Sequence, residues 1–211
     1  MFWRYHSINL EKYFSMSKIL EIDIELHRSK PKIWRRVLVP DSMTFHKLHY
    51  TIQFAMGWTN SHLHQFALGK HERTIGIPHE DDFSKVEDSR KIKINSLLKA
   101  PKDKILYEYD FGDGWEHIVE LKKVHEPENG KRYPVLIGGA MACPPEDCGG
   151  IWGYQSLVKT MAKKNSKEYK ELVEWLGGEF DPEKFDPKEI NEAFFKNFEQ
   201  EMEEWDQFAG F

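Results

Sequence analysis

From Ile19 to His27 the chain alternates, with Leu20, Ile22, Ile24 and Leu26 set against Glu21, Asp23 and Glu25. A period of two marks a strand with one buried face. Lys30-Pro31 interrupts it, and Ile33 to Val39 predicts a second, antiparallel strand that Pro40-Asp41 ends. The period then changes. Phe45, Leu48, Ile52 and Met56 recur at helical spacing behind Thr44, a suitable N-cap, and Gly57 stops the run. His62 to Leu68 returns to strand spacing, and the polar stretch from Gly69 to Asp88 predicts an irregular excursion with a short strand near Ile75. Ser96-Leu97-Leu98 can open one helical turn.

Lys104 to Lys123 is the clearest unit. Ile105, Tyr107, Tyr109 and Phe111 alternate up to Gly112-Asp113-Gly114, and Trp115, His117, Val119 and Leu121 alternate after it. This predicts a β-hairpin whose three-residue loop has Gly114 in the left-handed position, pairing Phe111 with Trp115 and Asp110 with Glu116. Tyr133 to Ile137 is a further candidate strand. The chain then turns helical, with candidates over Tyr154 to Lys164, from the cap at Asn165-Ser166-Lys167-Glu168 to Gly177-Gly178, and from Asp186-Pro187 toward Trp205. Strands first and helices last predict an α+β fold, a mainly antiparallel sheet with helices concentrated in the C-terminal part. The expected division is an N-terminal extension over 1–17, one domain over 18–191 and an acidic helix or tail over 192–211. Because the strand pattern begins just after Met16, the extension reads equally as an ordinary arm or as sequence upstream of a start at Met16.

Composition narrows the function classes. At 40% hydrophobic and 14% aromatic, the 211 residues can build a core rich in large rings. A net charge of −5 argues against general nucleic-acid binding, which relies on a basic face. The two basic concentrations, Trp34-Arg35-Arg36 and Lys159 to Lys170, read as solvated faces. There is no bilayer-length apolar stretch and no apolar signal run. Two cysteines make no disulfide framework, so a cytoplasmic, reducing location is expected.

Several motifs carry a family likeness. Pro31-Lys32-Ile33-Trp34-Arg35-Arg36, Ala55-Met56-Gly57-Trp58, His62-Leu63-His64, Tyr109 to His117, Ala142 to Gly150 and Trp175 to Glu183 occur in order. Together they resemble the plasmid open-reading-frame-three-like family, named from an Ri plasmid and also labelled an insertion-element passenger protein. The likeness spans roughly Ile19 to Asn191. It implies an association with mobile elements, but no activity and no catalytic residues.

Candidate chemistry gathers in two short segments. Tyr109 to His117 and Ala142 to Gly150 hold Asp110, Asp113, Glu116, His117, Glu146, Asp147 and both cysteines, Cys143 and Cys148, among glycines and prolines. Asp110 and Glu116, if paired, repel unless one keeps its proton or a cation lies between them, and Asp113 sits at the loop tip. The bland alternative is an ordinary turn with Glu116 in solvent. His62 and His64 share one face of a strand and can hold a transition metal, with Cys143 and Cys148 completing a ligand count of four; the alternative is a hydrogen-bonded pair and a proline-braced loop with buried thiols. Trp115 and His117 line the hairpin face as ligand contacts or core. His46 and His49 share a helix face with Gln53 that reads as surface. The expected cofactor class is a divalent metal: zinc, manganese or magnesium. Three functions remain open: a binding or accessory protein with a ligand pocket, a metal-dependent hydrolase, and a protein–protein adaptor or homodimer using exposed aromatics such as Trp205 and Phe208.

Overall fold

The first alternating segment forms strand β1 (Ile19–Leu26), which pairs antiparallel on one side with β2 (Trp34–Pro40). The computed structural model describes residues 17–69, 73–79 and 85–209, so the extension expected over 1–17 falls almost entirely outside the described residues. After α1 (Phe45–Met56) come β3 (His64–Leu68), β4 (Arg73–Gly76) and β5 (Val86–Asp88). The hairpin strands are β6 (Lys104–Tyr109) and β7 (Trp115–His125), followed by β8 (Val135–Ala140) and the helices α2 (Gly150–Met161), α3 (Lys167–Leu176) and α4 (Pro187–Ala209). All eight strands join one sheet in the order β5-β4-β3-β6-β7-β1-β2-β8. Only the β4–β5 pair is parallel. The fold is α+β, with three of the four helices in the C-terminal half.

The sheet has one apolar and one charged face, as the period of two requires. Across three strands Ile22 faces Val37 and Leu121, and these side chains are buried. On the opposite face Arg36 binds Asp23 through two bonds of 2.5 and 2.8 Å, and Lys104 and Lys122 reach Glu120 at 3.0 and 2.8 Å. Helix boundaries follow local chemistry. Thr44 Oγ1 accepts from Lys47 N at the start of α1, Ser166 Oγ accepts from Tyr169 N at the start of α3, and Gly57 and Gly177 end those helices in left-handed conformations. Helix α2 begins earlier than the expected Tyr154, because its Gly-Gly start takes its acceptor from Asp113 of the hairpin.

Several expectations are corrected by packing. Arg35 is not part of a solvated basic face: it lies opposite Ile24 on the apolar side and is 3% exposed. Its guanidinium donates to the carbonyls of Ala55 (2.9 Å), Trp34 (2.8 Å), Ala140 (3.0 Å) and Met141 (2.9 Å) and to Cys143 Sγ (3.0 Å), and it packs 4.6 Å from the Phe185 ring centroid. His46, His49 and Gln53 are buried, not surface, because α4 and the sheet cover α1 on both sides. The expected boundary at 191/192 falls inside α4, whose Phe194 and Phe198 belong to the main core and pack on Phe54 at 5.7 and 5.2 Å. Trp205, expected as a partner contact, packs instead against Tyr50 and Phe54. Among the described residues no helix is long and apolar enough to cross a membrane.

Arg35 joins α1, β2, β8 and the cysteine loop, so its loss leaves several buried carbonyls without donors. Arg35→Ala is expected to cost about 3 kcal/mol or more, since hydrogen bonds to a charged group contribute roughly 1.5–3 kcal/mol each. Denaturant unfolding of wild type and variant checks this, and a loss under about 1 kcal/mol would show that the loops repack without it.

Candidate metal centre

The hairpin turn positions the first carboxylate. The ladder runs from Lys104–Glu120 to Tyr109–Trp115 and stops there, so the loop spans 110–114 and is longer than expected. Asp110 adopts φ 56°, accepts from Gly112 N through Oδ1 at 2.9 Å and closes the turn with its carbonyl on Gly114 N at 2.6 Å. This local bonding competes with the ladder and takes Asp110 out of it. Gly114, at φ 65°, takes the left-handed position expected of it. The expected pairing of Asp110 with Glu116 is therefore corrected: Glu116 faces Glu108, and Tyr109 rather than Phe111 faces Trp115. The slip of two residues preserves the faces, which is why the binary pattern could not detect it.

The turn is braced against the second acidic segment. Gly149 N donates to Asp113 Oδ2 at 3.1 Å, and a Cβ on Gly150 would meet the Asp113 carbonyl oxygen at 2.3 Å, so only glycine fits there. Glu146 is consumed by structure: it accepts from Thr59 N at 2.9 Å, Thr59 Oγ1 at 2.6 Å and Tyr109 Oη at 2.5 Å. Burial and this carboxylate push the Tyr109 hydroxyl well above its usual range. Trp58 Nε1 donates to Pro144 O at 2.9 Å, and its ring stacks on Tyr109 at 5.1 Å. These contacts hold Asp147, itself at φ 58°, above the hairpin turn.

Three donors converge. His62 lies just before β3, where the bond from Asp110 N to Leu63 O (2.9 Å) ties its loop to the turn. His62 Nε2 is 3.2 Å from Asp147 Oδ1 and 3.8 Å from Asp110 Oδ2. One ligand atom from each of these residues lies within 4.8 Å of the other two. The imidazole nitrogen is itself inaccessible yet makes no aligned hydrogen bond to either carboxylate. Asp110 is buried and Asp147 is 70% exposed, so one side of the group opens to solvent. Two left-handed aspartates facing one unbonded imidazole nitrogen is the arrangement a divalent cation would satisfy, with three protein donors and open positions for water or a ligand.

The other residues singled out in the sequence lie elsewhere. His64 does not share His62's face in a strand: its ring stacks on His49 at 3.4 Å. Burial holds His64 down to about 3. Cys143 bonds Arg35 and Met56, and burial raises its thiol to about 11 and that of Cys148 to about 12. Neither thiol joins a group of three or more potential ligands among the described residues. Trp115 and His117 are core. His117 is 0% exposed, its Nδ1 meets Trp115 O at 3.0 Å, and burial lowers it to about 4.

What the sequence did not single out is a cavity of about 510 Å³. His46, His49, His62, His64, His79 and Asn60 are among its walls. Behind its wall Gln53 donates to Tyr107 Oη (3.0 Å), and His49 bonds Tyr107 Oη (2.8 Å) and Asn60 Oδ1 (2.7 Å). Since the Asn60 oxygen accepts, His49 Nε2 carries the proton and Nδ1 accepts from the tyrosine. The pair His46 and His49, one turn apart on α1 and followed by Gln53, was the available signal.

Comparison with other proteins agrees with this architecture. Residues 18–189 match the family described as plasmid pRiA4b ORF-3-like protein. The uncharacterized protein y4hQ of Sinorhizobium fredii is 34% identical over 183 residues, covering 84% of this chain and 91% of that protein. The crystal structure of the protein of unknown function MM3350 from Methanosarcina mazei Go1 superimposes with a TM-score of 0.74 at 35% identity, covering 83% of this chain and 98% of that one.

The two buried imidazoles set a pH dependence. Both folded values, about 3 for His64 and about 4 for His117, lie below the ordinary 6.5, so the unfolded chain takes up protons first as pH falls. Stability is therefore fully present above about pH 6.5 and declines below it, until each ring's folded value is reached. Each ring contributes up to about 1.4 kcal/mol per pH unit in that window. Denaturant melts at pH 7 and pH 5 should show this loss, and His117→Phe should flatten the slope; an unchanged slope would mean that His117 is charged in the fold.

Proposed function

From the geometry of this chain, which belongs to the plasmid pRiA4b ORF-3-like family, we propose a cation-dependent binding protein in which His62, Asp110 and Asp147 hold a divalent metal. The observation that carries the reading is the convergence of one neutral-type donor and two carboxylates on a point that hydrogen bonding leaves unfilled. A cation there relieves the repulsion between Asp110 and Asp147 and offers its remaining positions to a ligand. His62 belongs both to this group and to the wall of the 510 Å³ cavity, so a ligand seated in the cavity borders the metal. Mixed nitrogen and oxygen donors suit zinc or manganese better than calcium.

A hydrolase is the second reading, favoured by the exposure of Asp147. A metal with only three protein donors, open to solvent, can carry a water and lower its pKa. In that case Asp110 and Asp147 are ligands and the cavity holds the substrate.

Elemental analysis of protein purified without a metal-affinity tag, followed by calorimetric titration with Zn²⁺ and Mn²⁺, tests the site. One equivalent is expected to bind. Asp110→Asn and His62→Ala should each weaken binding at least tenfold, while Cys143→Ser leaves stoichiometry unchanged. A well-folded wild type that binds neither ion would overturn the reading. Metal-dependent turnover of generic nitrophenyl esters or phosphates that is lost in Asp110→Asn would move the hydrolase ahead.

A further inference from the structure

The three donors of the candidate metal centre are far apart in sequence, yet each directly follows a member of one hydrogen-bonded group. Ser61 precedes His62, Tyr109 precedes Asp110, and Glu146 precedes Asp147. The Tyr109 hydroxyl joins them. Its oxygen accepts from Ser61 N at 2.9 Å, and its proton goes to Glu146 Oε1 at 2.5 Å. Other bonds tie the same segments two at a time. Asp110 N reaches Leu63 O at 2.9 Å, Gly149 N reaches Asp113 Oδ2 at 3.1 Å, and Thr59 Oγ1 reaches Glu146 Oε2 at 2.6 Å. On the Tyr109 hydroxyl all three segments meet. The Tyr109 ring is buried and lies edge-on to the His62 imidazole, with centroids 5.7 Å apart at 72°.

Consecutive Cα atoms are about 3.8 Å apart, so holding Ser61, Tyr109 and Glu146 against one oxygen leaves each donor residue a single step from a fixed point. At Asp110 and Asp147 the chain then turns through positive φ, 56° and 58°, and their carboxylates come to 3.8 and 3.2 Å from His62 Nε2. Donors held in this way lose little freedom when a cation arrives, which raises the affinity of the site. We infer that Tyr109 is the positioning residue of this centre, its hydroxyl setting the separation of His62, Asp110 and Asp147 through their neighbours in the chain. The inference rests on the reading of those three residues as a cation site, and goes beyond it in assigning part of the affinity to a residue that does not touch the ion.

Tyr109→Phe removes the hydroxyl and keeps the ring against His62. Tyr107→Phe is the matched control. Tyr107 is likewise 0% exposed, lies two residues earlier on β6, and its hydroxyl makes a comparable pair of bonds, to His49 and Gln53. Calorimetric titration of the full chain with Zn²⁺ and the visible absorption of the Co²⁺-loaded protein are compared for wild type and both variants. Tyr109→Phe is expected to weaken Zn²⁺ binding about ten- to hundredfold, the range for residues that orient ligands without touching the metal, and to shift the Co²⁺ bands. Tyr107→Phe should lower the melting temperature by a similar amount while leaving the Zn²⁺ affinity and the Co²⁺ bands as in wild type. Glu146→Ala removes the acceptor of the hydroxyl at a half-buried position, so the test does not hinge on one variant. It should weaken Zn²⁺ as Tyr109→Phe does, and combining the two should add little, since both act through one bond. Wild-type binding with Tyr109→Phe and Glu146→Ala unaffected, or equal losses in Tyr109→Phe and Tyr107→Phe, would overturn the inference and leave the cation reading standing. A wild type that binds neither Zn²⁺ nor Co²⁺ would overturn the cation reading itself, and the inference with it.

Discussion

The guanidinium of Arg35 sits where the sheet pattern calls for an apolar side chain, and much of the molecule is arranged around satisfying it. A cation on the core face of a sheet is costly unless every donor is used. Here the acceptors are mostly main-chain carbonyls, drawn from the end of α1, the end of β8 and the residue that follows it. To meet the guanidinium those segments must end beside β2. The chain leaving β8 then has only one course, past Met141 and Cys143 toward the hairpin. The position of the second acidic segment thus follows from burying one arginine.

From there a set of buried polar contacts fixes the segment against the hairpin. Trp58 holds Pro144, Tyr109 and Thr59 hold Glu146, and Asp113 holds Gly149. The five acidic residues of the two segments therefore have different jobs. Glu146 and Asp113 are spent as acceptors for structure, and Glu116 lies across from Glu108. Asp110 and Asp147 share the left-handed backbone and the proximity to His62. Left-handed conformations at residues other than glycine carry a cost that persists only when the surroundings impose it, and such positions concentrate where side chains must be aimed.

The histidines divide in the same way. His49 is locked in a chain of hydrogen bonds with Tyr107, Gln53 and Asn60, and His64 is pressed flat against it. Both are held neutral by burial. They shape the cavity beside the site. His62 instead faces Asp110 and Asp147, so identical side chains two residues apart have different surroundings, one stacked on a ring and one beside two carboxylates.

Periodicity and capping were enough to read the strands around Ile22, Val37, Tyr107 and Val119, the helix behind Thr44, the helix behind Ser166 and the α+β order, because alternation, caps and stop signals act within a few residues. The two acidic turns were legible for the same reason, since Gly-Asp-Gly and Pro-Pro-Glu-Asp are local chemistry. Alternation reports which face is buried and says nothing of what is buried against it. It therefore could not show that Arg35 would be satisfied inside, that α4 would bury His46, or that the hairpin would slip by two residues without changing faces. The grouping of His62 with Asp110 and Asp147, in place of a set with His64 and the cysteines, depends on contacts across tens of residues that leave no period in the chain. Only the tertiary structure, by pinning three loops to one another through buried hydrogen bonds, decided it.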